Sequence, residues 1–108
     1  MISFVRGSTT KVYATIKEED VPDMSSITSI WFMMRQGREL VIDHQTEDCY
    51  IVGRKIYTNL SQEDTLKFRS GYGDVQISIL LGGADRRKVS YTARFEVDGI
   101  IKEGIQDE

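Results

Sequence analysis

The sequence predicts an all-β fold, a sandwich of about seven antiparallel strands with one short helical crossing. Two observations carry that prediction. Apolar side chains return at every second position, the spacing that puts them on one face of a strand. The runs are short and are separated by glycines, acidic links and a single proline, as frequent turns require.

The elements follow in order. Val12, Ala14 and Ile16 alternate with Lys11, Tyr13, Thr15 and Lys17, which predicts a strand over roughly residues 10 to 19. It ends in Glu18-Glu19-Asp20-Val21-Pro22-Asp23, where proline removes an N–H and restricts its neighbour. Ile27 to Gln36 is the next strand. Ile30, Phe32 and Met34 share one of its faces and Trp31 and Met33 the other, so it reads as central and covered on both sides. Gln36-Gly37-Arg38 turns the chain into Glu39 to Asp43, where Leu40 and Ile42 share a face. Tyr50 to Leu60 reads as further strand, broken near Gly53.

Leu60 to Phe68 is the one helical segment, about two turns long. Ser61 is its predicted N-cap, and Glu63 and Asp64 suit the positive helix end. In Asp74 to Leu81, the residues Val75, Ile77, Ile79 and Leu81 point to the core and Asp74, Gln76 and Ser78 to water. Lys88 to Asp98 repeats the pattern with Val89, Tyr91, Ala93, Phe95 and Val97 inward. Gly82-Gly83-Ala84-Asp85-Arg86 joins these two runs as a hairpin loop, and the polar tail from Lys102 to Glu108 is expected to fray.

The 108 residues suit one domain, 1–108, with one core. A single cysteine, Cys49, excludes an intramolecular disulfide. The charges, 14 basic against 17 acidic, are scattered, so no broad basic face is expected and nucleic acid is not an expected partner. No run reaches the ~18 apolar residues of a membrane span, and the start lacks the pattern of a secretory leader, so no membrane partner is expected and the chain reads as cytoplasmic.

His44, Glu47, Asp48 and Cys49 are the one group of candidate metal ligands. With one histidine and one cysteine in the chain, a zinc site is poorly supplied, and no metal or other cofactor is expected. A Ser/His/Asp mechanism would have to use His44, and nothing near it resembles a nucleophile elbow or an oxyanion loop. The chain therefore reads as non-enzymatic. Arg86, Arg87 and Lys88 concentrate charge at a hairpin end, either as a solubilising edge or as a contact for an acidic partner. Trp31 and Met33 either complete a core or mark an interface with another protein.

Ser61-Gln62-Glu63-Asp64-Thr65 followed by Ser70-Gly71-Tyr72-Gly73-Asp74-Val75-Gln76-Ile77 resembles the crossing before the penultimate strand of immunoglobulin-like domains, with Tyr72 in the place of the tyrosine that pins the turn. A closer resemblance is to small immunoglobulin-like proteins of phages and prophages of Gram-positive hosts, similar to the N-terminal domains of baseplate and tail-tip proteins. It rests on Arg6-Gly7-Ser8-Thr9-Thr10 before an alternating strand, Asp23-Met24-Ser25 in the acidic link, and the apolar strand ending at Arg35. Asp64, Thr65, Leu66, Gly71, Tyr72, Val75, Gln76 and Ile77, then the glycine hairpin and Phe95-x-Val97, complete it. The resemblance implies a structural or adaptor module made in the bacterial cytoplasm and carried in the virion, with other tail proteins and further copies of itself as partners. The alternative is a binding domain whose loops hold a carbohydrate or a regulatory protein.

Overall fold

The computed structural model describes residues 2–83 and 86–99. The loop positions Ala84 and Asp85 and the tail from Lys102 to Glu108 lie outside them.

The described chain runs β1 (Ile2–Val5), β2 (Thr10–Thr15), β3 (Ile27–Gln36), β4 (Glu39–Gln45), β5 (Cys49–Val52), β6 (Lys55–Leu60), α1 (Gln62–Leu66), β7 (Gly71–Leu81) and β8 (Lys88–Asp98). Two sheets form, a five-stranded one in the order β1-β8-β7-β3-β4 and a three-stranded one in the order β2-β6-β5. Packed face to face, they make an immunoglobulin-like β-sandwich.

Most predicted elements are present, and three differences are physical. First, β1 is an eighth strand that the alternation did not announce. It pairs with β8 in parallel, Ile2 opposite Phe95 through Val5 opposite Asp98, so the sheets are not wholly antiparallel. Second, α1 is five residues rather than two turns. Its chain stops at Lys67, whose N–H bonds Asp64 O at 3.2 Å, because Phe68 must turn into the core. Third, Tyr72 does not pin a corner: it is 56% exposed, and its ring lies 5.5 Å from the Arg94 guanidinium on the sheet's outer side.

Both short hairpins use the same turn chemistry. Gly37 (φ 59°) and Gly53 (φ 60°) each hold a positive φ just before an arginine, the arrangement of a two-residue turn with glycine first.

The core lies between the sheets. From the five-stranded sheet come Phe4, Ile30, Phe32, Met34, Ile42, Val75, Ile77, Ile79, Leu81, Phe95 and Val97, and from the other Val12, Ile56 and Leu60. Each such large side chain removed from water contributes about 1.5–3 kcal/mol. Along β8 only Phe95 and Val97 of the five inward-phase residues are fully buried. The reason is that β1 covers β8 only at Phe95 and beyond, and above it β8 faces the unpaired edge of β2 across a cleft of about 580 Å³. Ser78, expected in water, is buried on the outer face between Trp31 and Ser90, where its hydroxyl meets that of Ser90 at 3.0 Å.

Candidate functional site

Alternation along β3 sends Trp31 and Met33 to the outer face of the five-stranded sheet, where both are half-buried. The strand is central, as expected, but its outer side has only partial cover. Lys88, opposite Leu80 at the start of β8, reaches across β7 to place its Nζ 5.5 Å from the Trp31 ring centroid. Two residues singled out separately in the sequence thus meet. Around them stand Gln45, Asp43, Gln76 and Thr92, then Arg35, Asp74 and Arg94 in a row of alternating charge.

The three hairpin cations do not act as one patch. Lys88 sits with Trp31, whereas Arg87 turns to the loop after β2 and donates from Nη2 to Asp20 O at 2.5 Å. Arg86 is exposed.

Of the candidate metal ligands, His44 and Cys49 meet at the Thr58 hydroxyl and the two acids stand apart. His44 lies on β4 and points between the sheets, its Nδ1 2.6 Å from the Thr58 hydroxyl. That hydroxyl also donates to Asp48 O at 3.1 Å. Glu47 and Asp48 are exposed on a 3-10 turn, where the Asp48 carboxylate accepts from Gln45 N at 3.0 Å. Burial pushes the Cys49 thiol up to about 11, a push to which Asp48 and Glu47 add and which the Thr58 hydroxyl opposes. Such a thiol stays protonated and unreactive at neutral pH. Among the described residues no three His, Cys, Asp or Glu side chains converge on one point.

Tyr50 and Tyr57, which the sequence places in strands, join a third tyrosine on the other sheet. Tyr13, Tyr57 and Tyr50 form one cross-strand row over β2, β6 and β5. Tyr13 and Tyr57 have ring centroids 5.3 Å apart, and Tyr57 and Tyr50 overlap at 5.2 Å with planes 7° apart. Lys55 holds its Nζ 4.7 Å above Tyr13. The signal was present: Tyr50 stands two residues before the pair that closes the Gly53-Arg54 turn, and Tyr57 two after it, so a two-residue turn puts them opposite each other.

No protein-family model and no curated protein matches the sequence. Among solved structures, one of murine CRIg aligns at 9% identity over 91% of this chain and 90% of that chain, with a TM-score of 0.41. A likeness at that level carries no argument about function.

Proposed function

We propose that the chain is a non-enzymatic structural or adaptor module of a phage or prophage particle, acting through protein–protein contacts in a tail or baseplate. The observation that carries the docking part is the Trp31 and Met33 face: two large apolar side chains on a central strand, half-covered by their own chain and ringed by polar and charged residues. An apolar centre with a polar rim is how protein interfaces are built. The particle assignment rests on the resemblance of the Arg6-Gly7-Ser8 and Asp64-Thr65-Leu66 segments and the Gly71 to Ile77 run.

Those two segments meet in space. The Thr65 hydroxyl donates to Ser8 O at 2.6 Å and accepts from Gly7 N at 3.0 Å, and Arg6 donates from Nε to Phe68 O at 2.7 Å. Their shared task is to hold the crossing against β1, so the motif supports the fold, and the docking is left to the faces.

Mass spectrometry of particles purified after prophage induction tests the reading. The chain is expected at a fixed copy number relative to the tail proteins, and Trp31→Ala is expected to lower its incorporation. A chain that is plentiful in the lysate and missing from intact particles would overturn the proposal.

A further inference from the structure

The open face of the three-stranded sheet is small, aromatic and positively charged, and nothing in the described chain covers it. Its outward positions are Lys11, Tyr13 and Thr15 on β2, Lys55, Tyr57 and Asn59 on β6, and Tyr50 and Val52 on β5. Not one is acidic, in a chain of net charge −3. Tyr13 is 46% and Tyr50 37% exposed although both rings pack on Tyr57, so the row keeps a strip of ring surface in water.

From these residues we infer that this face is a binding site for an acidic polysaccharide, a chain of sugar rings bearing carboxylate or phosphate groups. Size and charge disfavour the main competitor, a protein partner. Three strands of at most six residues have a footprint of about 20 by 15 Å. A stable protein interface takes about 800 Å² from each partner and keeps lysine out of its centre. A second copy of the chain is also disfavoured, since it would bring Lys11 and Lys55 against their own kind. Charge density decides against single-stranded nucleic acid, which carries a phosphate on every nucleotide and takes a positively charged groove that tracks it. Here Lys11 and Lys55 are the only cations among the outward positions, and they flank a row of hydroxyl-bearing rings.

An overlapping row of tyrosines instead offers ring strips to the apolar faces of sugars and hydroxyls to their oxygens. Asn59 and Thr15 add further hydrogen-bonding groups, and Lys11 and Lys55 supply charge on either side of the row. The site is independent of the Trp31 face, so its failure would leave the assembly proposal untouched.

Titration calorimetry of the purified chain tests it with four probes: oligogalacturonate, a phosphodiester-linked polysaccharide, neutral dextran and oligodeoxythymidine. At least one of the two acidic glycans is expected to bind, the two arms identifying the charged group, with affinity falling as salt rises. Tyr50→Ala is expected to weaken binding about tenfold. Lys55→Gln should weaken it several-fold and flatten the salt dependence, and Tyr50→Phe should keep most of it. Thermal melts of each variant establish that it is folded. Equal binding of dextran or of oligodeoxythymidine, binding that survives Tyr50→Ala in a folded protein, or no binding of either acidic glycan would overturn the inference.

Discussion

The two ends of the sandwich solve the same closure problem with different devices. At the α1 end the layer is shut by aromatic packing: Phe4 and Phe68 meet edge-on at 5.1 Å, Phe68 and Phe95 at 5.3 Å, and Phe4 and Phe95 stack at 6.0 Å. Buried Gln36 fixes the chain beyond the helix from both sides, donating to Arg69 O and accepting from Arg69 N, each at 2.7 Å. At the opposite end, long polar side chains reach over the loop that follows β2. Arg54 donates from Nε to Ile16 O at 2.8 Å and from Nη2 to Val21 O at 2.6 Å, and the Tyr91 hydroxyl donates to the Asp20 carboxylate at 2.5 Å. Burial, with the Asp20 carboxylate adding to it, raises that hydroxyl above the usual tyrosine range. One end is closed by aromatic rings packed on one another. The other is a loop strapped by polar side chains, with Ile16 and Val21 as its two anchors in the core.

The largest losses on substitution belong to the aromatic end. Phe68→Ala is expected to cost about 4 kcal/mol, the scale for emptying a fully buried phenylalanine site, and to lower cooperative urea unfolding as a whole. Gly73→Ala acts on the same cluster from the other side. A Cβ there would stand 2.3 Å from Arg35 O and 2.3 Å from the Phe95 ring, and the former is backbone and cannot rotate away. About 3 kcal/mol of destabilisation is expected, near the upper end for overpacking. A loss below about 1 kcal/mol for either variant would mean that this end is looser than its packing indicates.

The aromatic end was legible in sequence only in part. Phe95, Val97 and the β7 residues showed themselves by alternation, and Ser61 by capping chemistry, because both are local rules. What stayed hidden depends on partners distant in sequence. Phe68 reaches the core because Arg6 holds its carbonyl from 62 residues away, and β1 exists only because β8 accepts it in parallel. The tyrosine row needed the register of two separate pairings, β2 with β6 and β6 with β5. Trp31 and Met33 were placed correctly on a shared face, but the lysine that meets the tryptophan comes from a strand two places away in the sheet.

The strapped end predicts smaller and more local effects. Arg54→Ala removes both bonds to the loop carbonyls and is expected to cost about 2 kcal/mol, in the range for hydrogen bonds from a charged donor. Hydrogen exchange should accelerate over residues 16 to 23 and stay slow in β3 and β7. Uniform acceleration would show that the loop is part of the core's cooperative unit, and the contrast between the ends would fall.

The smallest effect sharpens the comparison by locating a titratable contact at the packed end. Ser61 Oγ accepts from Asp64 N at 3.1 Å, while the Asp64 carboxylate accepts from Ser61 N at 2.9 Å, a reciprocal cap on α1. Burial alone would raise the Asp64 pKa, but the Ser61 backbone and side-chain bonds, with His44 and Lys67 assisting, pull harder and leave it below the ordinary carboxylate value. A lowered folded-state pKa means stability that is present above the unfolded carboxylate pKa and lost as pH falls through the folded one. Ser61→Ala should therefore cost about 1 kcal/mol near neutrality, roughly 4–8 °C in Tm. The variant keeps the backbone N–H that the carboxylate accepts from, so that half of the cap is lost in acid by parent and variant alike. In melts carried well into acid, with Asp64 protonated, the gap between them should narrow only by what the Ser61 hydroxyl adds to holding Asp64 ionised. A gap that holds constant through acid would mean that the Ser61 hydroxyl acts on the Asp64 N–H alone and does nothing for the carboxylate.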